Sequence, residues 1–206
     1  ELFRLAWRRD RILVPASVLG LVALSVGSAQ APPALYPDDE AAATGLAGVL
    51  TTPSVIAMYG PLASQTADAL AVFKTVMMGA FLTAVLGFVV VRRHTRTEED
   101  EGRHELVGSG VVGRWSALAA SVALACLSVI AASALSAVGL AALGMDGAGS
   151  AAFAVAWLSA GLATVGVTAV AVQLASTSRG AAGLGFGFLA AAYALRAVAD
   201  SSDAGT

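Results

Sequence analysis

Five long apolar runs separated by short polar segments constrain the fold of this chain more than any other feature. The runs cover residues of about 12–29, 67–91, 115–143, 151–175 and 180–198. Because about 20 apolar residues cross the hydrocarbon layer of a membrane as a helix, each run is long enough, or nearly long enough, to span it. Charged residues make up only 13% of the chain, against about 25% in a typical soluble domain. The sequence therefore predicts an all-α membrane protein with five transmembrane helices.

The basic residues indicate how these helices are oriented. Twelve residues are Lys or Arg, and all except Lys74 and Arg196 fall at three places. These places are the start of the chain, the connection between the second and third runs, and the turn before the fifth run. The segments 30–66 and 144–150 contain neither Lys nor Arg. Because basic residues near span ends favour the cytoplasmic side, we expect a multi-pass plasma-membrane protein whose N-terminus is cytoplasmic.

Residues 1–11 form an amphipathic segment ahead of the transmembrane domain, which covers 12–206. At helical spacing, most of its arginines share one face, whereas Leu2, Phe3 and Trp7 lie largely on the other. Such a segment suits a helix lying in the membrane interface, with its arginines toward water and its rings toward lipid. The sequence therefore predicts an interfacial helix at the N-terminus.

The outer loop 30–66 is expected to contain two short helices. The acidic residues at 38–40 suit the N-terminal end of a helix over 41–50. A second helix is predicted from Pro53 to Tyr59, ending at Gly60. Neither is long enough to cross a membrane, and their apolar residues favour a position on, or dipping into, the outer face.

The connection 92–114 is the most strongly charged part of the chain. Four consecutive acidic residues, 98–101, follow a cluster of basic residues that ends at Arg96. A helix this short gains little from its own propensity, so it needs a partner surface or the headgroup layer to stay ordered. The pattern alone leaves two interpretations open, a solvated charged loop or a docking helix.

No catalytic machinery is evident in the sequence. The phosphate loop Gly-x-x-x-x-Gly-Lys-Ser/Thr is absent, and Lys74, the only lysine, lies within an apolar run. His94 and His104 are ten residues apart beside many arginines, an arrangement that does not favour a metal site. No basic stripe interleaved with aromatic residues indicates nucleic-acid binding. We therefore expect a protein that is not an enzyme, with no cofactor or metal of its own and no nucleic-acid partner.

Several motifs resemble those of a known transporter family. The runs 96–106 and 109–114 resemble the cytoplasmic motif of type-two ABC exporter permeases, in which an acid-rich stretch precedes a Gly, a Glu-Leu pair and a small turn. The runs 8–11, 58–61 and 93–96 resemble those of the polyketide-antibiotic or multidrug exporter class. The general family commonly has Thr and Pro where Arg103 and Gly110 stand here, a departure that fits the antibiotic-exporter branch.

The resemblance implies a function and a set of partners. The chain would be the N-terminal part of one six-span permease half of an exporter of hydrophobic or amphipathic compounds, paired with a second half. The connection 92–114 would be a coupling helix that docks on a separate ATP-binding subunit, present in two copies, which would hold the ATP and Mg. Glu98 would match the family's acid before the Gly and Glu105 the Glu after it. The residues implied in this contact are Arg93, His94, Arg96, Glu98, Glu99, Glu101, Gly102, Arg103, Glu105 and Leu106.

The sequence leaves other functions open, and also the roles of three other polar residues. A membrane scaffold that transports nothing, or part of a secondary carrier, would share the five apolar runs. Lys74 suits a side chain that snorkels to the membrane surface, an ion pair with another span, or a polar point on the substrate path. Thr164 and Thr168 suit bonding to backbone or to neighbouring helices, with a lining role in the substrate path as the alternative.

Overall fold

All regular secondary structure in the described part of the chain is helical. The computed structural model describes residues 2–30, 52–62, 66–97 and 115–203. Over these residues the prediction of an all-helical protein is confirmed. The helices are α1 Leu2–Arg9, α2 Leu13–Ala29, α3 Pro53–Tyr59, α4 Ala67–Arg93, α5 Ser116–Ala142, α6 Gly147–Leu174 and α7 Ser178–Asp203.

Four helices, α4 to α7, are long and apolar enough to cross a membrane. Helix α2 has 17 residues, which at about 1.5 Å per residue is about 26 Å. It is bent by 61° from α1, and the two would make a fifth crossing if they are taken as one broken span. The described residues thus contain four to five candidate spans, against the five predicted. The amphipathic segment at the N-terminus does form a helix, α1.

Helices α4, α5 and α6 pack against one another and form the core of the bundle. Their fully buried side chains include Phe88, Leu124 and Trp157. Helix α2 lies against α4 and α5, and the hydroxyls of Ser28 and Thr75 are hydrogen-bonded across this contact at 2.6 Å. Helix α7 packs on α6 at one edge. Only 11% of its apolar stretch is buried in the bundle, against 56% for α4.

Two glycines allow α4, α5 and α6 to approach closely. A Cβ on Gly79 would lie 1.8 Å from the Trp157 ring, and a Cβ on Gly161 would lie 2.5 Å from Val129. No side chain larger than hydrogen fits at either position without displacing a neighbour. Small residues at helix contacts are typical of packing in lipid, and these two set the distance between the core helices.

Local sequence accounts for several helix ends. Thr66 accepts a hydrogen bond from the Ala69 N–H, and Asp146 accepts one from the Gly149 N–H at 2.7 Å. The Asp146 cap starts α6 at Gly147, earlier than the predicted 151. The predicted helix from Pro53 to Tyr59 is confirmed, and Gly60 ends it with a φ of 89°. The other predicted short helix, 41–50, lies outside the described residues.

The two ends of the bundle differ in charge. At the basic end lie α1, the C-terminus of α4 and the N-terminus of α7. This end carries Arg4, Arg8, Arg9, Arg11, Arg92, Arg93, Arg96 and Arg179, while Asp10 is its one acidic residue within the described part of the chain. At the acidic end lie the N-termini of α4 and α6, where the Asp146 N–H donates to Asp68 Oδ2 at 3.1 Å.

Candidate functional site

A buried carboxylate holds the basic end together. Asp10 lies at the break between α1 and α2 and is 0% exposed. Its Oδ2 lies 2.7 Å from His94 Nε2, and its Oδ1 lies 3.2 Å from Arg93 Nε. Arg93 and His94 stand at the C-terminal end of α4. The carboxylate therefore connects the N-terminal bend to the last turn of α4.

The burial of these groups makes the contact structurally important. A charge taken out of water is costly unless it is paired and hydrogen-bonded. His94 is 6% exposed, whereas the Arg93 side chain is 38% exposed. The Arg93 pair is consequently weakened by solvent screening, and the hydrogen bond to His94 is the better shielded of the two. Asp10 and His94 thus form the centre of the contact.

The residues that follow α4 are attached to two further helices. Arg96 Nε donates to the Val172 carbonyl near the C-terminus of α6. The hydroxyls of Thr97 and Ser178 lie 3.3 Å apart, at the N-terminus of α7. We call Asp10, Arg93, His94, Arg96 and Thr97 the anchor. Through it, the chain that leaves α4 is joined to α2, α6 and α7 before residue 98.

The structure brings together only part of the predicted coupling set. Arg93, His94 and Arg96 all belong to the anchor. The remaining predicted residues lie outside the described residues: Glu98, Glu99, Glu101, Gly102, Arg103, Glu105 and Leu106. Their docking role stays a prediction.

Of the three residues predicted on a substrate path, Lys74 lies apart from Thr164 and Thr168, which are one helical turn from each other on α6. Lys74 is exposed on α4, about 10 Å along the helix from the acidic end. No acidic residue in the described ranges forms an ion pair with it. Thr164 and Thr168 are buried on α6, about 25 Å or more from its start. Their hydroxyls donate to the carbonyls of Ala160 and Thr164, the backbone bonding that was one of their two interpretations.

Sequence reasoning missed the role of Asp10. It counted this residue only as part of the run 8–11, although a single acid among three arginines is a usable signal. Such an acid neutralises basic neighbours or meets a cation from elsewhere in the fold. Asp10 and His94 are 84 residues apart in the sequence, so no local pattern indicates that they pair.

Comparison with known proteins gives one informative similarity. No family model matches the chain. Over 201 residues, the chain is 38% identical to a multidrug efflux system permease protein of Mycobacterium tuberculosis. The aligned region covers 97% of this chain and 36% of that relative, so the chain spans about a third of the length of the relative. Together with the four long apolar helices, this similarity identifies a multi-pass membrane protein.

Proposed function

We propose that this chain is part of the permease of an ATP-driven exporter of the type-two ABC class, which moves hydrophobic or amphipathic compounds out of the cell. Similarity to a multidrug efflux permease along almost the whole chain supports a transport role. The anchor is the observation that supports coupling to a motor. It joins the start of the segment 98–114 to three helices of the bundle.

The mechanical consequence of the anchor fits such coupling. A segment held only by α4 would swing when a partner pushed on it, because a single flexible joint transmits little force. Here the buried pair of Asp10 and His94 and the hydrogen bond from Arg96 to α6 resist that swing. Movement of 98–114 would therefore displace α2, α4, α6 and α7 together. In this proposal a separate ATP-binding subunit, in two copies, supplies ATP, Mg and hydrolysis, and this chain contributes no catalytic residue.

The charge distribution supports the proposed orientation. The eight arginines at the basic end favour the cytoplasmic side of the plasma membrane, where ATP is available. In that orientation the N-terminus and the segment 92–114 are cytoplasmic, and α1 lies at the inner membrane surface. The acidic end, with Asp68 and Asp146, then faces outward.

Charge reversal in the segment 98–114 tests the proposal. The full-length polypeptide is purified with candidate ATP-binding subunits, and co-purification and ATP-dependent export from proteoliposomes are measured. We expect Glu98→Arg and Glu105→Arg each to weaken co-purification by at least about tenfold and to abolish export. The control Asp203→Arg reverses a charge at the last residue of α7, at the opposite end of the bundle, and should change neither.

Two results would refute the coupling proposal. The first is a partner that binds equally well after both reversals. The second is labelling of cysteines introduced in 98–114 by a membrane-impermeant maleimide from outside intact cells, in a Cys126→Ser background. Either result would return the chain to the alternatives of a scaffold or a secondary carrier.

A further inference from the structure

A cavity opens at the acidic end of the bundle, between α4, α5 and α6. Its volume is about 710 Å³, within the range of about 300–1,000 Å³ that is typical of sites for small molecules. Tyr59, the last residue of α3, also lines the cavity, as do Pro61 and Leu62 after it. The cavity is therefore large enough for a drug-sized compound and lies at the end of the bundle opposite the anchor.

The walls of the cavity are mostly apolar and reach well into the bundle. Val72, Val76 and Phe153 line it, with Leu140 of α5. From Asp68 at the mouth to Val76 is about 12 Å along α4. The carbonyl of Val76 accepts a hydrogen bond from the indole N–H of Trp157 at 3.1 Å. Such a depth suits the apolar body of a ligand.

Two carboxylates stand at the mouth of the cavity. Asp68 and Asp146 both line it and are both exposed. Each already accepts one backbone N–H, from Asp146 and Gly149 respectively, and these bonds fix the positions of the two side chains. The lining residues include neither Lys nor Arg. Arg196, beside Gly60, is paired with Asp200, so the two acids of the lining attract cations to this point and repel anions.

A buried hydroxyl is an independent sign of a ligand. Ser150 lines the cavity and is 5% exposed. Its Oγ has no hydrogen-bond partner among the described residues. Buried polar atoms are almost always hydrogen-bonded, because leaving one unpaired costs free energy. A polar group that enters the cavity would satisfy it, about one helical turn below the carboxylate of Asp146.

We infer that this cavity binds amphipathic organic cations, with the cationic group between Asp68 and Asp146 and the apolar body against α4 and α6. As a statement about exported cargo, the inference rests on the proposed function, whereas binding itself does not. An inorganic divalent ion would gain nothing from 12 Å of apolar wall, and an anion would meet two like charges. A hydrophobic cation can pair with the two carboxylates and at the same time pack its apolar body against the walls.

A pair of probes of the same size and shape but opposite charge tests the inference. Binding of tritiated tetraphenylphosphonium, and its displacement by unlabelled tetraphenylphosphonium or by tetraphenylborate, is measured on the purified full-length protein in nonionic detergent without any ATPase. We expect the phosphonium to bind and the borate not to displace it. Asp68→Asn and Asp146→Asn should each weaken phosphonium binding by about fivefold. Both substitutions keep an acceptor for the backbone N–H, and Asn is as good a helix cap as Asp.

The control and the outcomes separate this inference from the proposed function. Asp200→Asn removes an acid that pairs with Arg196 and does not line the cavity, and it should leave binding within about twofold. Phosphonium binding that both Asn variants leave unchanged would overturn the inference, as would displacement by tetraphenylborate as strong as by the phosphonium. ATP-driven export without phosphonium binding would overturn the inference alone. Binding as expected without ATP-driven export would uphold the cavity and refute the proposed coupling.

Discussion

The pair of Asp10 and His94 should contribute measurably to stability. The two side chains are 0% and 6% exposed and meet at 2.7 Å, so solvent screens them little. A hydrogen bond to a charged group contributes about 1.5–3 kcal/mol net. Removing one partner costs more than this where a buried charge is left unpaired. We expect about 2–4 kcal/mol for Asp10→Ala and for His94→Ala, with Arg93 retaining part of the Asp10 interaction in the second variant.

A double-mutant cycle isolates the interaction from other effects of each substitution. The free energy of unfolding is measured by titration with SDS in mixed micelles and followed by tryptophan fluorescence. The expected coupling energy between Asp10 and His94 is about 1.5–3 kcal/mol. A cycle at Arg196 and Asp200 is the matched control. These side chains also meet at 2.7 Å but are 27% and 24% exposed, so their coupling should be about 0.3–0.5 kcal/mol.

Comparing the two coupling energies shows whether burial strengthens the contact between Asp10 and His94. If the Asp10–His94 coupling energy falls below about 0.5 kcal/mol, or equals that of the exposed pair, then burial does not strengthen this contact. The anchor would then be a loose association, and the argument that it transmits movement from 98–114 to the bundle would fail.

Close packing and single hydrogen bonds elsewhere also have measurable consequences. Gly79→Ala should destabilise the protein by about 1–3 kcal/mol in the same SDS titration, because its Cβ would meet the Trp157 ring. Gly183→Ala, with nothing within 4 Å, should not destabilise it, and equal losses would refute the packing argument. Trp157→Phe should cost about 1–3 kcal/mol, since the hydrogen bond to the Val76 carbonyl is lost; unchanged stability would contradict this. Arg196→Leu should raise hydrogen exchange in α3, whose carbonyls the guanidinium holds, and unaltered exchange would show that α3 is held by other contacts.

The sequence alone predicted the helices well, because apolar run length and local caps are properties of neighbouring residues. The runs at 67–91 and 115–143 match α4 and α5 to within two residues. The fifth run is the instructive difference. It was predicted to end at about residue 198, just after the charged Arg196. In the structure the guanidinium reaches Asp200 and the carbonyl of Ala57, and α7 continues to Asp203.

Contacts between distant parts of the chain were much less predictable. Nothing in local pattern pairs Asp10 with His94, or Asp68 with the Asp146 N–H, since each pairing depends on how four helices are arranged in space. The glycines of the fifth run show the same limit. Small residues are typical of helix contacts in lipid, yet of Gly183, Gly185 and Gly187 only Gly185 lies where a Cβ would meet a neighbour, the Phe88 ring. Which side of a helix faces the bundle is decided by tertiary packing, and a uniformly small and apolar helix carries little signal of it.

The anchor and the cavity occupy opposite ends of the same two helices. Helix α4 carries Asp68 at one end and His94 at the other, and α6 carries Asp146 at one end and Val172 at the other. The contact between α4 and α6 is the most extensive in the bundle. Near the middle of this contact, the Trp157 ring packs against Gly79. Under the proposed coupling, a push on 98–114 would therefore tilt α4 and α6 as one body, and the walls that they give to the cavity would keep their spacing. The wall that α5 gives to the cavity lies at Leu140, near the end of the helix, whereas Val129 packs against Gly161 of α6 near the middle of α5. A change in the width of the cavity that releases a bound cation would therefore require α5 to shift at its Leu140 end.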